Sequence, residues 1–180
     1  MNIEQARFNM IEQQIRPWEV LDPAVLSLLT VVKREDFVPA AYRALAFVDT
    51  EVPLPGGQCM LAPRVEARLL QELGVHKHER VLEVGAGSGY MAALLAHRAQ
   101  HVTTLEILPE LAKMAADNLK RAAIVNATVR QADGSRGLPA NPILQGQIPE
   151  YLVKQLNEFK SGKRDNAIMK GMASTLSDAD

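Results

Sequence analysis

A doubly wound α/β fold, with a parallel sheet preceded by helices, is the fold class that the sequence predicts. Strand-type runs at residues 80–84, 102–107 and 127–131 alternate with helical patterns. Strands separated by helices of about 10–15 residues are typical of parallel crossover units. The first run also leads directly into three glycines at alternate positions within residues 85–89. Such a glycine turn joins a buried strand to the start of a helix in sheets of this class.

Length and composition favour one domain of ordinary globular character. The chain has 180 residues, 47% of them hydrophobic, which suffices for a real core. Its net charge of −1 gives no case for a nucleic-acid or membrane-surface role. No apolar run reaches the length of about 18 residues that a membrane span needs, and Met1 to Glu4 lack the order of a signal peptide. Cys59 is the only cysteine, so no internal disulfide is expected and a cytoplasmic location fits.

Two helices are predicted before residue 35. Apolar residues recur at helical spacing over residues 3–15, and Pro17 ends this pattern. Asp22 followed by Pro23 is typical of a helix start, because aspartate caps the first amides and proline suits the first helical position. The face of this second helix carries Val25, Leu28, Leu29 and Val32.

A loop and a third helix follow. Two prolines and two glycines break residues 47–57, so a loop is expected there. Pro63 is placed to begin a helix that runs to Leu73, and Gly74 is placed to end it. The remaining elements are strand 80–84, helix 90–99, strand 102–107, a helix that begins at Pro109, and strand 127–131.

The glycine turn has the features of a nucleoside-binding site. Glycine accepts positive φ and leaves no side chain between backbone and ligand, and a helix that starts near Gly89 points its free amides at that space. Glu106 ends the second strand, 21 residues after Gly85. An acid at this position can accept hydrogen bonds from both ribose hydroxyls of a bound nucleoside.

The spacing of the glycines favours S-adenosyl-L-methionine over NAD. The dinucleotide fingerprint G-x-G-x-x-G needs its third glycine where this chain has Tyr90, and here that glycine comes one residue early, as Gly89. Glu83 stands two residues before Gly85. Its carboxylate would oppose a pyrophosphate but suits the sulfonium and ammonium groups of S-adenosyl-L-methionine. The alternative is a glycine cluster that only turns a strand into a helix.

Residues 1–139 resemble the protein-L-isoaspartate O-methyltransferase family. The resemblance rests on these blocks: Val32-Lys-Arg-Glu-Asp-Phe-Val-Pro39, Leu54-Pro-Gly-Gly-Gln58, Val81-Leu-Glu-Val-Gly-Ala-Gly-Ser-Gly89, Leu105-Glu-Ile107 with Pro109-Glu-Leu111, and Asp133-Gly-Ser-Arg-Gly-Leu-Pro139. It implies a Rossmann-like class I methyltransferase sheet and a protein or peptide substrate with an isoaspartyl residue. It also implies that Asp133, followed by Gly134, lies near the adenine amino group, that Glu106 binds the ribose and that residues 85–89 lie beside the methionine part.

One position departs from the family pattern. After Leu-Pro-x-Gly-Gln the family usually has Thr-Ile-Ser-x-Pro, with a serine tied to substrate handling and catalysis. This chain has Leu61 at the serine position, and a leucine side chain makes no hydrogen bond. No catalytic residue is assigned, because methyl transfer from a sulfonium to an ionised carboxylate mainly needs alignment. Cys59 is interpreted as a small buried apolar residue, and the four histidines show no metal-ligand spacing.

Residues 141–180 differ in character from the rest, and we predict a helical tail there. They resemble the C-terminal half of small class I cytochromes c through Gln145-Gly-Gln147, Tyr151-Leu-Val-Lys-Gln-Leu156, Phe159-Lys-Ser-Gly-Lys-Arg164 and Met169-Lys-Gly-Met-Ala173. Haem attachment needs Cys-x-x-Cys-His, and the chain has no such motif. No haem is therefore expected, and the two methionines are interpreted as apolar packing residues.

The sequence thus predicts a partial sheet in residues 1–140 joined to a tail, residues 141–180, of unrelated origin. No β-rich run follows residue 141, although the family continues with further strands, and Ser177 to Asp180 read as the opening of a helix. Our hypothesis is that parts of two unrelated genes are joined here. The predicted function is methyl transfer to a protein carboxylate. The alternatives are a non-catalytic cofactor-binding or unstable fragment and an electron-transfer protein.

Overall fold

The N-terminal part of the chain is helical, as expected. A computed structural model describes residues 2–134. Helix α1 spans Ile3–Met10, and Asn2 caps it by accepting a hydrogen bond from the Gln5 amide at 3.2 Å. The single helix expected over residues 3–15 is interrupted, because Ile11–Ile15 form a wider π turn before a 3₁₀ turn at Arg16–Trp18. Ile11 and Ile15 are nevertheless buried in the core.

The second helix begins, and the third helix begins and ends, at the residues that the sequence indicated. Helix α2 spans Pro23–Val31, and the Asp22 carboxylate accepts a hydrogen bond from the Ala24 amide at 2.8 Å. Helix α3 spans Pro63–Leu73 and ends at Gly74 with φ +56°. Three 3₁₀ turns lie between these helices: Arg34–Asp36, Ala40–Leu45 and Pro55–Gly57.

The predicted loop at 47–57 contains the start of a small hairpin. Strand β1, Val52–Pro53, pairs antiparallel with β2, Cys59–Met60. The hairpin was not predicted from the sequence, because two-residue strands are too short to show an alternating pattern.

A parallel sheet follows, and its strands and helices match the sequence prediction closely. In chain order the elements are β3 (Arg80–Val84), α4 (Tyr90–Arg98), β4 (His101–Glu106), α5 (Pro109–Arg121) and β5 (Ala127–Gln131). The strand order is β3-β4-β5, and both pairings are parallel. Within residues 2–134, β3 pairs only with β4, so its other edge has no strand beside it in this part of the chain.

The core lies between this sheet and the helices. One face of the sheet contributes Val81, Val102, Ala127 and Val129 to an apolar cluster with residues of all five helices. The opposite face is more open, and Val84 there is 63% exposed. Among the helices of residues 2–134, none combines the length and apolar character that crossing a membrane requires.

Candidate functional site

The glycine turn after β3 adopts a conformation that other residues rarely reach. Gly85, Gly87 and Gly89 have φ values of +93°, +52° and +83°. The amides of Gly85 and Ala86 both donate to the Leu105 carbonyl of β4, at 2.8 and 3.2 Å. The turn is therefore anchored to the carboxyl end of the neighbouring strand. Only glycine accepts these backbone angles without strain, which explains the alternating pattern.

Helix α4 begins directly from this turn. Gly89 occupies its N-cap position, and no side chain caps the helix. The Gly89 carbonyl accepts a hydrogen bond from the Ala93 amide at 3.0 Å, which closes the first turn. The first amides of an α-helix have no partner within the helix and carry its positive dipole end. This end is therefore a place where backbone amides can bind a ligand.

The turn is also packed tightly against α5. A β-carbon at Gly89 would lie 3.1 Å from the Ala115 carbonyl oxygen and 3.2 Å from the Ala115 α-carbon. Next to it, the Asn118 side-chain amide donates to the Ser88 carbonyl at 2.8 Å. Gly89 is thus required both by its backbone angles and by the closeness of α5.

Glu106 lies under the turn at the end of β4. Its side chain is buried, and its Oε2 atom accepts the Gly87 amide at 3.0 Å while Oε1 accepts the Leu108 amide at 3.0 Å. The sequence predicted that Glu106 and the turn lie at the same edge of the sheet, and the structure places them in contact. A carboxylate has about four acceptor sites, so Glu106 keeps capacity for hydroxyl groups of a ligand.

Glu83 lies on β3, on the face of the sheet that packs against the helices. Its Oε2 atom is buried without a hydrogen-bond partner among the described residues. Burial raises the pKa of Glu83 to about 7, and the nearby Glu106 carboxylate adds to this shift. The Glu83 carboxyl is therefore harder to ionise than an exposed glutamate.

The raised pKa of Glu83 gives a testable dependence of stability on pH. The unfolded chain releases this proton near pH 4.5 and the folded chain near pH 7, so the contribution of Glu83 to stability falls as pH rises between these values. We expect Glu83→Gln to raise the free energy of unfolding at about pH 8 by on the order of 2 kcal/mol, with little gain at about pH 4. Chemical denaturation at several pH values measures it, and a gain independent of pH would contradict it.

Asp133 and Gly134 follow β5 and return the chain to this edge. The amide of Ala132 donates to the Glu106 carbonyl at 2.9 Å, which fixes the exit from β5 beside β4. A β-carbon at Gly134 would collide with the Val84 side chain at the end of β3. Asp133 is half-buried and has an interaction partner. The two residues therefore lie at the same end of the sheet as the glycine turn.

The loop after β1 also contacts the glycine turn, a contact that was not expected from the sequence. A β-carbon at Gly87 would lie 3.4 Å from the Leu54 side chain, and one at Gly56 would lie 2.6 Å from the Leu108 side chain. Gly56 has φ +68°. The Pro-Gly-Gly sequence at 55–57 signalled a turn, but only the fold shows that it packs against residues after β3 and β4.

Cys59 differs from the sequence expectation. It is exposed and free, not buried as interpreted from the sequence, because its short strand lies at the surface. Partial desolvation and the Glu51 carboxylate raise the pKa of its thiol, which disfavours the reactive thiolate. Within residues 2–134, no three side chains of His, Cys, Asp or Glu are grouped to hold a metal ion.

Leu61 is partly exposed, with 39% of its surface accessible. Its carbonyl accepts a hydrogen bond from the Arg34 guanidinium at 2.7 Å. The Arg34 side chain therefore fixes the backbone at Leu61, while the Leu61 side chain remains accessible to solvent. The segment 135–180, with its resemblance to cytochromes c, lies outside the described residues and stays a prediction.

Comparisons with known proteins identify the family to which the sequence is similar. The sequence model of the protein-L-isoaspartate(D-aspartate) O-methyltransferase family matches residues 5–162, and so continues past residue 140. Protein-L-isoaspartate O-methyltransferase 1 of Rhodopseudomonas palustris is 46% identical over 133 residues, covering 74% of this chain and 54% of the relative. The enzyme of Methanoculleus marisnigri is 36% identical over 160 residues, covering 84% of this chain and 73% of the relative. The chain thus spans about half to three quarters of the length of these relatives.

Solved structures show the same fold. A protein-L-isoaspartate O-methyltransferase superposes with a TM-score of 0.59 at 23% identity, over 76% of this chain and 44% of that protein. A beta-aspartate methyltransferase from Plasmodium falciparum, in complex with S-adenosyl-L-homocysteine, gives 0.58 at 21% identity, over 87% of this chain and 69% of that protein. The described sheet is therefore part of a Rossmann-like class I methyltransferase fold. From the extent of the family match, this chain belongs to the protein-L-isoaspartate(D-aspartate) O-methyltransferase family.

Proposed function

We propose that the chain binds S-adenosyl-L-methionine at the glycine turn and transfers its methyl group to an isoaspartyl carboxylate of a protein or peptide. The observation that carries the proposal is the buried Glu106 carboxylate, held against the Gly87 amide at 3.0 Å. This pair brings an acid and the backbone of the glycine turn together at the carboxyl edge of a parallel sheet, where ligands bind in such folds. Membership of the family supports the choice of cofactor and reaction.

Each part of the cofactor has a proposed partner at this edge. The backbone of residues 85–89 would lie beside the methionine part, and Glu106 would accept the ribose hydroxyls. Asp133 and Gly134, at the exit of β5, would lie near the adenine. Glu83 would favour the positive charge of the ligand once it is ionised. No phosphate is present in this cofactor, which suits a site with two buried carboxyl groups.

The proposed reaction depends more on alignment of the acceptor oxygen with the methyl group than on acid or base catalysis. The cofactor supplies a sulfonium, which is a strong methyl donor, and the acceptor carboxylate is ionised at neutral pH. The work of the protein is to hold the acceptor oxygen in line with the methyl group and to exclude water. The segment that carries Leu61, fixed by Arg34, is the proposed neighbour of the acceptor.

Leu61 is expected to limit methyl transfer. We expect Leu61→Ser to speed methyl transfer to an isoaspartyl peptide about fivefold, since one added hydrogen bond contributes about 1 kcal/mol. Its affinity for S-adenosyl-L-homocysteine should not change. Incorporation of radiolabelled methyl groups measures the rate. Leu69→Ser, at another exposed leucine, is the control, and equal rates for both variants would contradict the prediction.

A second candidate function is cofactor binding without turnover. Leu61 favours it, because its side chain cannot bind an acceptor through a hydrogen bond. Calorimetry with S-adenosyl-L-homocysteine followed by the methyl-transfer assay separates the two candidates. Binding with transfer supports the enzyme, whereas binding without transfer in both wild type and Leu61→Ser supports the second candidate.

A cytoplasmic location is proposed from the single cysteine.

A further inference from the structure

One short turn connects several helices with the candidate site. The 3₁₀ turn Arg34–Asp36 precedes the hairpin in sequence and is largely buried. Glu35 pairs with Arg7 of α1, and Arg34 pairs with Glu66 of α3. The turn therefore ties two N-terminal helices together through two buried ion pairs.

The Arg34 guanidinium makes two contacts besides its ion pair with Glu66. The side chain is 1% exposed, and its Nη2 atom donates to the Leu61 carbonyl at 2.7 Å. Its Cζ atom lies 5.3 Å from the centre of the Tyr90 ring. Tyr90 is the first residue of α4 and follows Gly89 directly. Arg34 thus contacts both the backbone before α3 and the residue next to the glycine turn.

A second connection joins the same turn to the other side of the glycine turn. Arg121 of α5 donates to the Asp36 carbonyl at 3.0 Å, and the same Nη2 atom also donates to Asn118. Asn118 in turn donates to the Ser88 carbonyl at 2.8 Å. The turn Arg34–Asp36 is therefore linked to Ser88 and Tyr90, the residues on either side of Gly89.

The shape of the guanidinium suits this role. Arginine presents donors in a rigid planar fork and packs on aromatic faces, whereas lysine is a single flexible point charge. At Arg34 one nitrogen donates to Glu66, another donates to Leu61, and the Cζ atom lies over the Tyr90 ring. If Arg34 only stabilised the fold, its ion pair with Glu66 would be sufficient. The contacts with Leu61 and Tyr90 hold two separate parts of the site in one arrangement.

We propose that Arg34 is a positioning residue that holds the segment 59–61 at a fixed place relative to the glycine turn. It acts through the Leu61 carbonyl and the Tyr90 ring and does not itself touch a ligand. Its effect on cofactor and acceptor rests on the function proposed above. The placement of the segment is independent of that function.

Arg34→Lys tests the proposal, with Arg7→Lys as the matched control. Both arginines are at least 97% buried and pair with a glutamate, so both variants should unfold at lower temperature. Well below that temperature, we expect Arg34→Lys alone to weaken S-adenosyl-L-homocysteine binding about tenfold. We also expect it alone to speed amide hydrogen exchange at Cys59, Met60 and Leu61. Equal behaviour of the two folded variants in both measurements would overturn the proposal.

The two measurements separate this proposal from the proposed function. If the wild type does not bind S-adenosyl-L-homocysteine, the proposed function fails, and hydrogen exchange alone decides the role of Arg34. If Arg34→Lys does not fold, Glu66→Gln replaces it, because this change loosens the guanidinium and keeps an acceptor oxygen. Faster exchange at 59–61 in Glu66→Gln than in Arg7→Lys then supports the proposal, and equal exchange overturns it.

Discussion

Glu106→Ala is expected to weaken binding of S-adenosyl-L-methionine about a hundredfold, because charge-assisted hydrogen bonds contribute about 1.5–3 kcal/mol. The variant removes the proposed acceptor of the ribose hydroxyls. It also removes the carboxylate that accepts hydrogen bonds from the Gly87 and Leu108 amides, each at 3.0 Å. The glycine turn then loses one of its links to the end of β4, while the Gly85 and Ala86 amides still donate to the Leu105 carbonyl. Isothermal titration calorimetry measures the change in dissociation constant.

The control for this experiment is Glu72→Ala. Glu72 is an exposed acid on α3 that pairs with Arg68 at 2.8 Å, and exposed pairs contribute little. Its removal changes the net charge of the chain as much as Glu106→Ala does. We expect the control to bind like the wild type. Similar affinity for all three proteins would show that Glu106 is not part of the cofactor site.

Gly89→Ala is expected to destabilise the fold by about 3 kcal/mol, from positive-φ strain and overpacking together. The backbone has φ +83°, and the new methyl group would lie 3.1 Å from the Ala115 carbonyl oxygen. Backbone of α5 cannot move aside as a flexible side chain would. Denaturant unfolding monitored by circular dichroism measures the loss of stability.

Gly74→Ala separates the two causes. Gly74 also has positive φ, +56°, but a β-carbon there meets nothing within 4 Å. We expect this variant to lose only about 1 kcal/mol from backbone strain. The difference between the two variants then reports the contact between the glycine turn and α5. Equal losses would mean that α5 does not pack closely at Gly89.

Much of the sheet was predictable from the sequence because its signals are local. Strands β3 and β5 have the predicted bounds, and α3 begins at Pro63 and ends at Gly74 as expected. The proximity of Glu106 to the glycine turn was also predictable, since parallel strands bring their carboxyl ends to one edge. The π turn at Ile11–Ile15 was not, because its residues keep ordinary helical spacing.

The contacts between distant segments were not predictable, because they depend on the tertiary fold. No periodicity marks Arg34 as buried, and charged residues are usually exposed. Its partners Glu66 and Leu61 lie about thirty residues away in sequence, and the pairing appears only when α3 packs beside the turn Arg34–Asp36. The packing of Leu54 against Gly87 is of the same kind.

Binding of S-adenosyl-L-methionine by the intact chain tests the central claim most directly. We expect saturable one-to-one binding by calorimetry, with a dissociation constant in the micromolar range, and no measurable binding of NAD under the same conditions. Such a result would show that the chain has a functional binding site for S-adenosyl-L-methionine. Absence of saturable binding by a folded sample, or tighter binding of NAD, would contradict the account.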